Sequence, residues 1–212
     1  MTEQPLLRVD RRDDGVLLAT LDRPKVNALD TALLHEIEAM ARGCSEDPPG
    51  AVVITGAGRM FAAGAELAGF ADPELRGAQA DAFRSAFAAL ERIPCPTIAA
   101  VNGLALGGGA ELAWCCDLRI LGERSVFGQP EVLLGIIPGG GATQRLTRLV
   151  GRSTAKRLIW GGAQVDASEA LRIGLVNIVV SLEAIDEYVY GLATEVSRLA
   201  PLSHERHKQI MR

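Results

Sequence analysis

The sequence has no excess of positive charge: 22 Lys and Arg stand against 26 Asp and Glu, giving a formal charge of -4 and a pI near 5.5. The basic residues are spread along the chain and form no run, so the electrostatic footprint of a nucleic-acid binder is missing. Long hydrophobic runs are also missing. The longest apolar stretches, such as Thr97 to Val101 and Leu175 to Val180, fall far short of the roughly 20 residues that a membrane span needs. Met1 to Arg12 mixes charges of both signs with Leu6, Leu7 and Val9, which fits neither a secretion signal nor a transit peptide, and a cytoplasmic location is the expectation. Cysteine is scarce, and Cys44, Cys95, Cys115 and Cys116 show no C-x-x-C spacing, so reduced structural thiols are expected. His35, His204 and His207 have no metal-ligand neighbours and read as solvated surface residues.

What is present is a chain of 212 residues, 48% hydrophobic, long enough to bury most of its apolar surface. Val16 to Leu21 reads as a strand ended by Arg23-Pro24. Asp30 then reads as the N-cap of a helix over Ala32 to Met40, where Leu33, Leu34, Ile37 and Met40 have the three-and-four spacing of an amphipathic face. Ala51 to Thr55 and Thr97 to Val101 are strands, separated by a helix from Pro73 to Ile93 that stops at Pro94-Cys95-Pro96. Asn102 to Gly109 reads as a glycine-rich turn, Ala110 to Cys116 as a short apolar helix, and Asp117 to Leu121 and Leu175 to Val180 as strands. Further helices are expected at 143–150, 153–160, 168–173 and 182–199. This alternation predicts an α/β fold with one domain over 1–200. The segment 201–212 opens a helix with no closing cap and is expected to begin an incomplete C-terminal helical region.

Two acids stand in apolar surroundings. Glu111 lies in the first turn of Ala110 to Cys116, and Glu131 follows the Phe127-Gly-Gln-Pro130 turn within the apolar stretch Val126 to Ile137. Glu111 can serve merely as a partner for the helix dipole, but two such acids suit a paired role. Carboxylates sharing one water in a dry site have their proton affinities pushed apart, so that one takes a proton while the other gives one. Gly107-Gly-Gly109 opens the Glu111 helix, where free amides suit a developing oxyanion. Phe61-Ala-Ala-Gly-Ala-Glu-Leu67 can supply a second amide, or be a plain small-residue turn. Pro138-Gly-Gly-Gly141, which opens the helix carrying Gln144 and Arg145, reads as a tight loop or as a wall of the site.

Taken together, Leu21-Asp-Arg-Pro-Lys-Val-Asn-Ala-Leu29, Phe61 to Leu67, Ala99 to Leu112 and Phe127 to Pro138 closely resemble the crotonase, or enoyl-CoA hydratase/isomerase, superfamily, and they occur in the family's order. The resemblance implies a spiral of repeated ββα units with a C-terminal helical region that is truncated here. It implies that Glu111 and Glu131 are the two catalytic acids of a hydratase and that the backbone N-H groups of Ala65 and Gly108 form the oxyanion hole. The CoA arm is expected along Lys25, Val26 and Ala28 on one segment and Ala63, Glu66, Leu67 and Ala68 on the other. The implied reaction is syn addition of water to a trans-2-enoyl-CoA, with Glu131 as proton donor and with no metal or redox cofactor, CoA being part of the substrate. The partner is an acyl-CoA thioester; homotrimers, often paired into hexamers, are implied too. Fatty-acid oxidation and a specialised degradative or biosynthetic route both fit. The chain departs from the family's pattern at Glu66, where aspartate is usual, and at Ala68, where a basic or polar residue is frequent.

Three rival readings differ in chemistry. An enoyl-CoA isomerase of the same fold typically keeps one of the two acids. A serine hydrolase could use Gly151-Arg-Ser-Thr-Ala155 with Asp166 and His204, but no strand precedes that segment and Ser153 reads as an N-cap. A catalytically idle or RNA-binding relative is opposed by the intact acid pair and by the acidic balance.

Overall fold

A computed structural model describes residues 4–68, 70 and 72–211. The elements run β1 (Leu7–Arg11), β2 (Val16–Leu21), α1 (Thr31–Glu46), β3 (Ala51–Gly56), β4 (Met60–Ala62), α2 (Pro73–Arg92), β5 (Thr97–Val101), β6 (Leu104–Leu106) and α3 (Gly108–Cys115). They continue with β7 (Leu118–Gly122), β8 (Val126–Gly128), a 3-10 turn (Pro130–Leu134), α4 (Ala142–Val150), α5 (Arg152–Gly161), β9 (Gln164–Asp166), α6 (Ala167–Arg172), β10 (Ile178–Val180), α7 (Ile185–Ser197) and α8 (Pro201–Met211). The expected α/β architecture is present. Three of the first residues in the Met1 to Arg12 reading, 1–3, lie outside the described residues.

The large sheet has the order β1-β2-β3-β5-β7-β10 and is parallel apart from the edge hairpin β1-β2. Both of its faces are buried, as parallel sheets require. On one face Leu17, Ala19, Val52, Ile54, Ala99 and Val101 join the core under α1, α2 and α3; on the other, Val16, Val53, Ile98 and Ala100 pack beneath α7. The helices begin where side chains satisfy free amides. Asp30 Oδ1 accepts from Leu33 N at 2.9 Å to open α1, and Asp72 with Pro73 opens α2. All four cysteines are buried and free, and burial pushes the thiols up, Cys44 to about 11 and Cys95 and Cys116 to about 12.

A second sheet, β4-β6-β8-β9, is built from three-residue strands. Its first three strands are parallel: Met60 stands against Leu104 and Ala62 against Ala105, with a one-residue irregularity between, and Leu104, Ala105 and Leu106 stand against Val126, Phe127 and Gly128. Three times, therefore, a strand of the large sheet passes into a short strand of the small one: β3 to β4, β5 to β6, β7 to β8. The glycine-rich segment 102–109 is consequently not all turn, because β6 occupies its middle. Two other readings need correction. The segment 175–180 is strand only from Ile178, since Leu175 N is drawn to Ala170 O at 2.9 Å. Ser153 does not cap a helix: Gly151 holds that position with no side-chain bond, and Ser153 sits inside α5.

Asn27 ties the segment before α1 to the small sheet. It is buried with φ +52°, and its Nδ2 lies 2.9–3.2 Å from the carbonyls of Ala57, Met60 and Phe61, while Oδ1 accepts from Arg23 N at 3.1 Å. Removing a donor so placed leaves buried acceptors unsatisfied, so Asn27→Ala should cost about 1–3 kcal/mol in urea unfolding. Leu75→Ala, at a side chain on the outside of α2, should stay within about 0.5 kcal/mol.

Candidate active site

The ends of the three parallel short strands converge on one place. Ala65 stands three residues past β4, Gly108 two past β6, and Glu131 three past β8. With Glu111, one turn into α3, they line a single cavity of about 480 Å³ whose other walls include Phe83, Ile136 and Ile137. Four of the residues singled out in the sequence are thus brought together. A larger groove of about 590 Å³ beside α7 contains none of them.

Ala65 and Gly108 line the same cavity close to one another. A Cβ placed on Gly108 would lie 3.6 Å from Ala65 N and 2.7 Å from the Phe83 ring, so only glycine leaves room there for a ligand oxygen. Gly108 begins α3, where the first amides have no intrahelical acceptor. Ala65 lies in an isolated bridge to Leu29 whose bonds, Leu29 N to Gly64 O at 2.7 Å and Glu66 N to Leu29 O at 3.1 Å, use the Gly64 carbonyl and the Glu66 N-H and leave the Ala65 N-H without a backbone acceptor among the described residues.

The two carboxylates are held differently. Glu111, 2% exposed, accepts from Ala142 N at 2.7 Å and from Gly140 N at 3.0 Å. Burial holds its carboxyl above the usual glutamate range, and those amides together with the Arg145 guanidinium oppose the shift in part. Glu131, 8% exposed, has an Oε2 with no hydrogen-bond partner in the chain among the described residues. Burial, with the nearby Glu111 charge adding to it, raises the Glu131 carboxyl to about 7. Its Oε1 sits 3.0 Å from where a Cβ on Gly107 would be, beside the residue that precedes Gly108. Gln129 fastens the same corner by donating to Gly107 O at 3.1 Å.

The residues expected along the CoA arm form a strip on two adjoining segments. Ala63 N donates to Val26 O at 3.0 Å, and Lys25, Val26, Leu67 and Ala68 are exposed beside this seam, whereas Ala28 is buried and offers only its backbone. The strip reaches the cavity through Ala65. Glu66 is engaged elsewhere: Oε2 pairs with Arg23 Nη2 at 3.0 Å, Oε1 accepts from Ala68 N at 3.3 Å, and the Arg23 charge holds its carboxyl below the usual range. Sequence reasoning missed Gln79, which lines the cavity and whose Nε2 donates to Leu29 O and Glu66 O at 3.1 Å each, clamping the Ala65 turn from α2. A buried glutamine on an otherwise apolar helix face was the available signal. Ser153, Asp166 and His204 lie on α5, at the start of α6 and on α8, with no hydrogen bond among them, so no triad is assembled. No cluster of three or more potential metal ligands occurs among the described residues.

Comparison with known proteins identifies the family. The family model for enoyl-CoA hydratase/isomerase matches residues 11–212. The 2,3-dehydroadipyl-CoA hydratase of Escherichia coli is 43% identical over 206 residues, 95% of this chain and 80% of that protein. The short-chain-enoyl-CoA hydratase of Clostridium acetobutylicum is 42% identical over 205 residues, 93% of this chain and 78% of the relative. Among solved structures, an enoyl-CoA hydratase from Bacillus anthracis superposes with a TM-score of 0.92 at 37% identity, covering 97% of this chain and 82% of its own. The chain belongs to the enoyl-CoA hydratase/isomerase family and is an enzyme of its hydratase branch.

Proposed function

We propose that the protein hydrates a trans-2-enoyl-CoA to the 3-hydroxyacyl-CoA by syn addition. The observation that carries this reading is the unequal acid pair: one buried carboxylate fixed by two amides, another buried carboxyl with an unpartnered oxygen and a proton affinity near neutrality, both on the wall that holds two free amides. Glu131, protonated, gives its proton to the α-carbon. Glu111, ionised, takes a proton from the water whose oxygen bonds to the β-carbon. Return of the proton from Glu111 to Glu131 restores the starting state. The negative charge that builds on the thioester oxygen is met by the Ala65 and Gly108 amides, an arrangement in which one donor contributes about 3 kcal/mol to the barrier. An isomerase needs only one of these acids, so the pair favours hydration. The reaction calls for no metal or redox cofactor. Assembly into trimers or paired trimers in the cytoplasm completes the reading, supported by the exposed apolar side chains Leu133, Leu134, Ile137 and Trp160.

Two outcomes are expected from the loss of conjugated-thioester absorbance with crotonyl-CoA. Glu111→Gln and Glu131→Gln should each lower kcat by about 10²–10⁴-fold while the fold is retained. Because Glu131 must carry a proton and its carboxyl titrates at about 7, wild-type kcat should decline as pH rises through that value, and Glu131→Gln should lack this limb. A wild type inert on short, medium and long enoyl-CoAs would sink the reading.

A further inference from the structure

Glu111 is held by the turn that opens α4, and that turn is itself held by one side chain. Arg145 donates through Nη1 to the Gly140 carbonyl, and its Nε meets Glu91 Oε1 of α2 at 2.6 Å. The guanidinium carbon lies 5.9 Å from the centre of the Phe87 ring, and the side chain is only 16% exposed. A cation taken this far out of water is costly unless its fork is matched, and here the fork is divided between a carboxylate and a backbone carbonyl.

The bonds to Glu111 come from the peptide units on either side of the one that Arg145 grips. Gly140 N-H belongs to the unit before it and Ala142 N-H to the unit after it. Each unit is planar, so fixing the central carbonyl leaves only the rotations at Gly140 and Gly141 to set the two donors. Glycine is at both positions, and Gly141 has φ +109°, so the backbone alone would allow many orientations. The constraint has to come from outside the turn, and a Cβ on Gly141 would overlap the Arg145 guanidinium that supplies it.

We propose that Arg145, anchored by Glu91, is a positioning residue for hydration: by gripping the Gly140 carbonyl it keeps the Gly140 and Ala142 amides on the Glu111 carboxylate, and so fixes where Glu111 presents its oxygen. This rests on the hydratase reading above. It goes beyond the acid pair and the oxyanion amides, because Arg145 acts on the reaction only through the turn and its link reaches back to α2. The charged and titratable groups facing Glu111 are Glu131 from the 3-10 turn, Arg145 with its partner Glu91, and the buried Cys115 thiol of the same helix. The Phe83 and Phe87 rings of α2 add no charge. Arg76 of α2 also lines the cavity, and Arg145 is the cation whose charge favours the ionised form of Glu111.

The test compares wild type, Arg145→Ala, Arg145→Lys and Glu91→Gln for kcat and KM with crotonyl-CoA across pH, beside thermal unfolding and a carbon-13 NMR titration of the glutamate carboxyls, with Glu111→Gln to assign the signal. Arg145→Ala should lower kcat about ten- to a hundredfold with KM nearly unchanged. The acid limb of kcat and the Glu111 titration should both move to higher pH, since the ionised form loses its amides and its cation. Added guanidinium ion should restore part of the rate. Lysine, a point charge without the fork, should recover little, and Glu91→Gln should shift the same quantities less. If Arg145→Ala fails to fold, Arg145→Lys and Glu91→Gln carry the same readouts. The inference is overturned if the folded variants melt at a lower temperature but keep the wild-type kcat, acid limb and Glu111 titration, which is what a merely structural residue would do. Should wild type be inert on enoyl-CoAs, the hydratase reading falls, and an unmoved Glu111 titration in Arg145→Ala would separately overturn the grip on the carboxylate.

Discussion

The parallel ladder of β4, β6 and β8 is the constraint on which the site depends. The three-residue strands are parallel, β6 and β8 in register and β4 joined to β6 with one irregularity between Met60 and Ala62, so the chain leaves each of them at the same end of the small sheet. The groups carried just beyond the three strand ends differ in chemistry: an amide at Ala65, an amide and an acid at Gly108 and Glu111, an acid at Glu131. Because a slip of one residue reverses the direction of every side chain on a strand, the register of these short strands governs the whole constellation. Strands so short are not stable alone. They are carried by the longer strands β3, β5 and β7 that precede them and by buried packing around Phe61, Ala105 and Phe127.

The acid pair stands against the stability of that packing. A buried carboxyl resists ionisation, and the two sites answer in different ways. At Glu111 the protein supplies amides and a distant cation; at Glu131 it supplies little, and the carboxyl holds its proton to about 7, against 4.5 for a free glutamate. The folded state therefore binds a proton that the unfolded chain has released. The stability from that proton is fully present below about 4.5 and is lost as pH rises through about 7, the range in which the proposed donor role would fade as well.

Much of the fold and the acid pair was legible in the sequence. Val16 to Leu21, Ala51 to Thr55 and Thr97 to Val101 are apolar runs bounded by proline and glycine, and they fold as strands within a residue of those limits because burial on both faces leaves a composition signal. Glu111 and Glu131 stood out because charge is rare in stretches so apolar. The small sheet did not stand out: three residues are too few for a period-two pattern, and β6 lies among glycines that read as turn. Edge strand β1 has four exposed residues of five, so its hydrophobic pattern is weak as well. The grip of Arg145 on Gly140 and of Gln79 on the Ala65 turn could not be read either, since both act through backbone carbonyls, which carry no residue identity.

The most direct test is whether Glu131 is a neutral acid at rest. Carboxyl-stretch difference infrared spectra of the unliganded protein, taken across pH for wild type and Glu131→Gln, measure this without substrate. A buried protonated carboxyl is predicted in wild type that disappears as pH passes about 7 and is absent from the variant. If Glu131 is instead already ionised in the ordinary glutamate range, near 4.5, it cannot be the proton donor, and the division of labour between the two acids is contradicted.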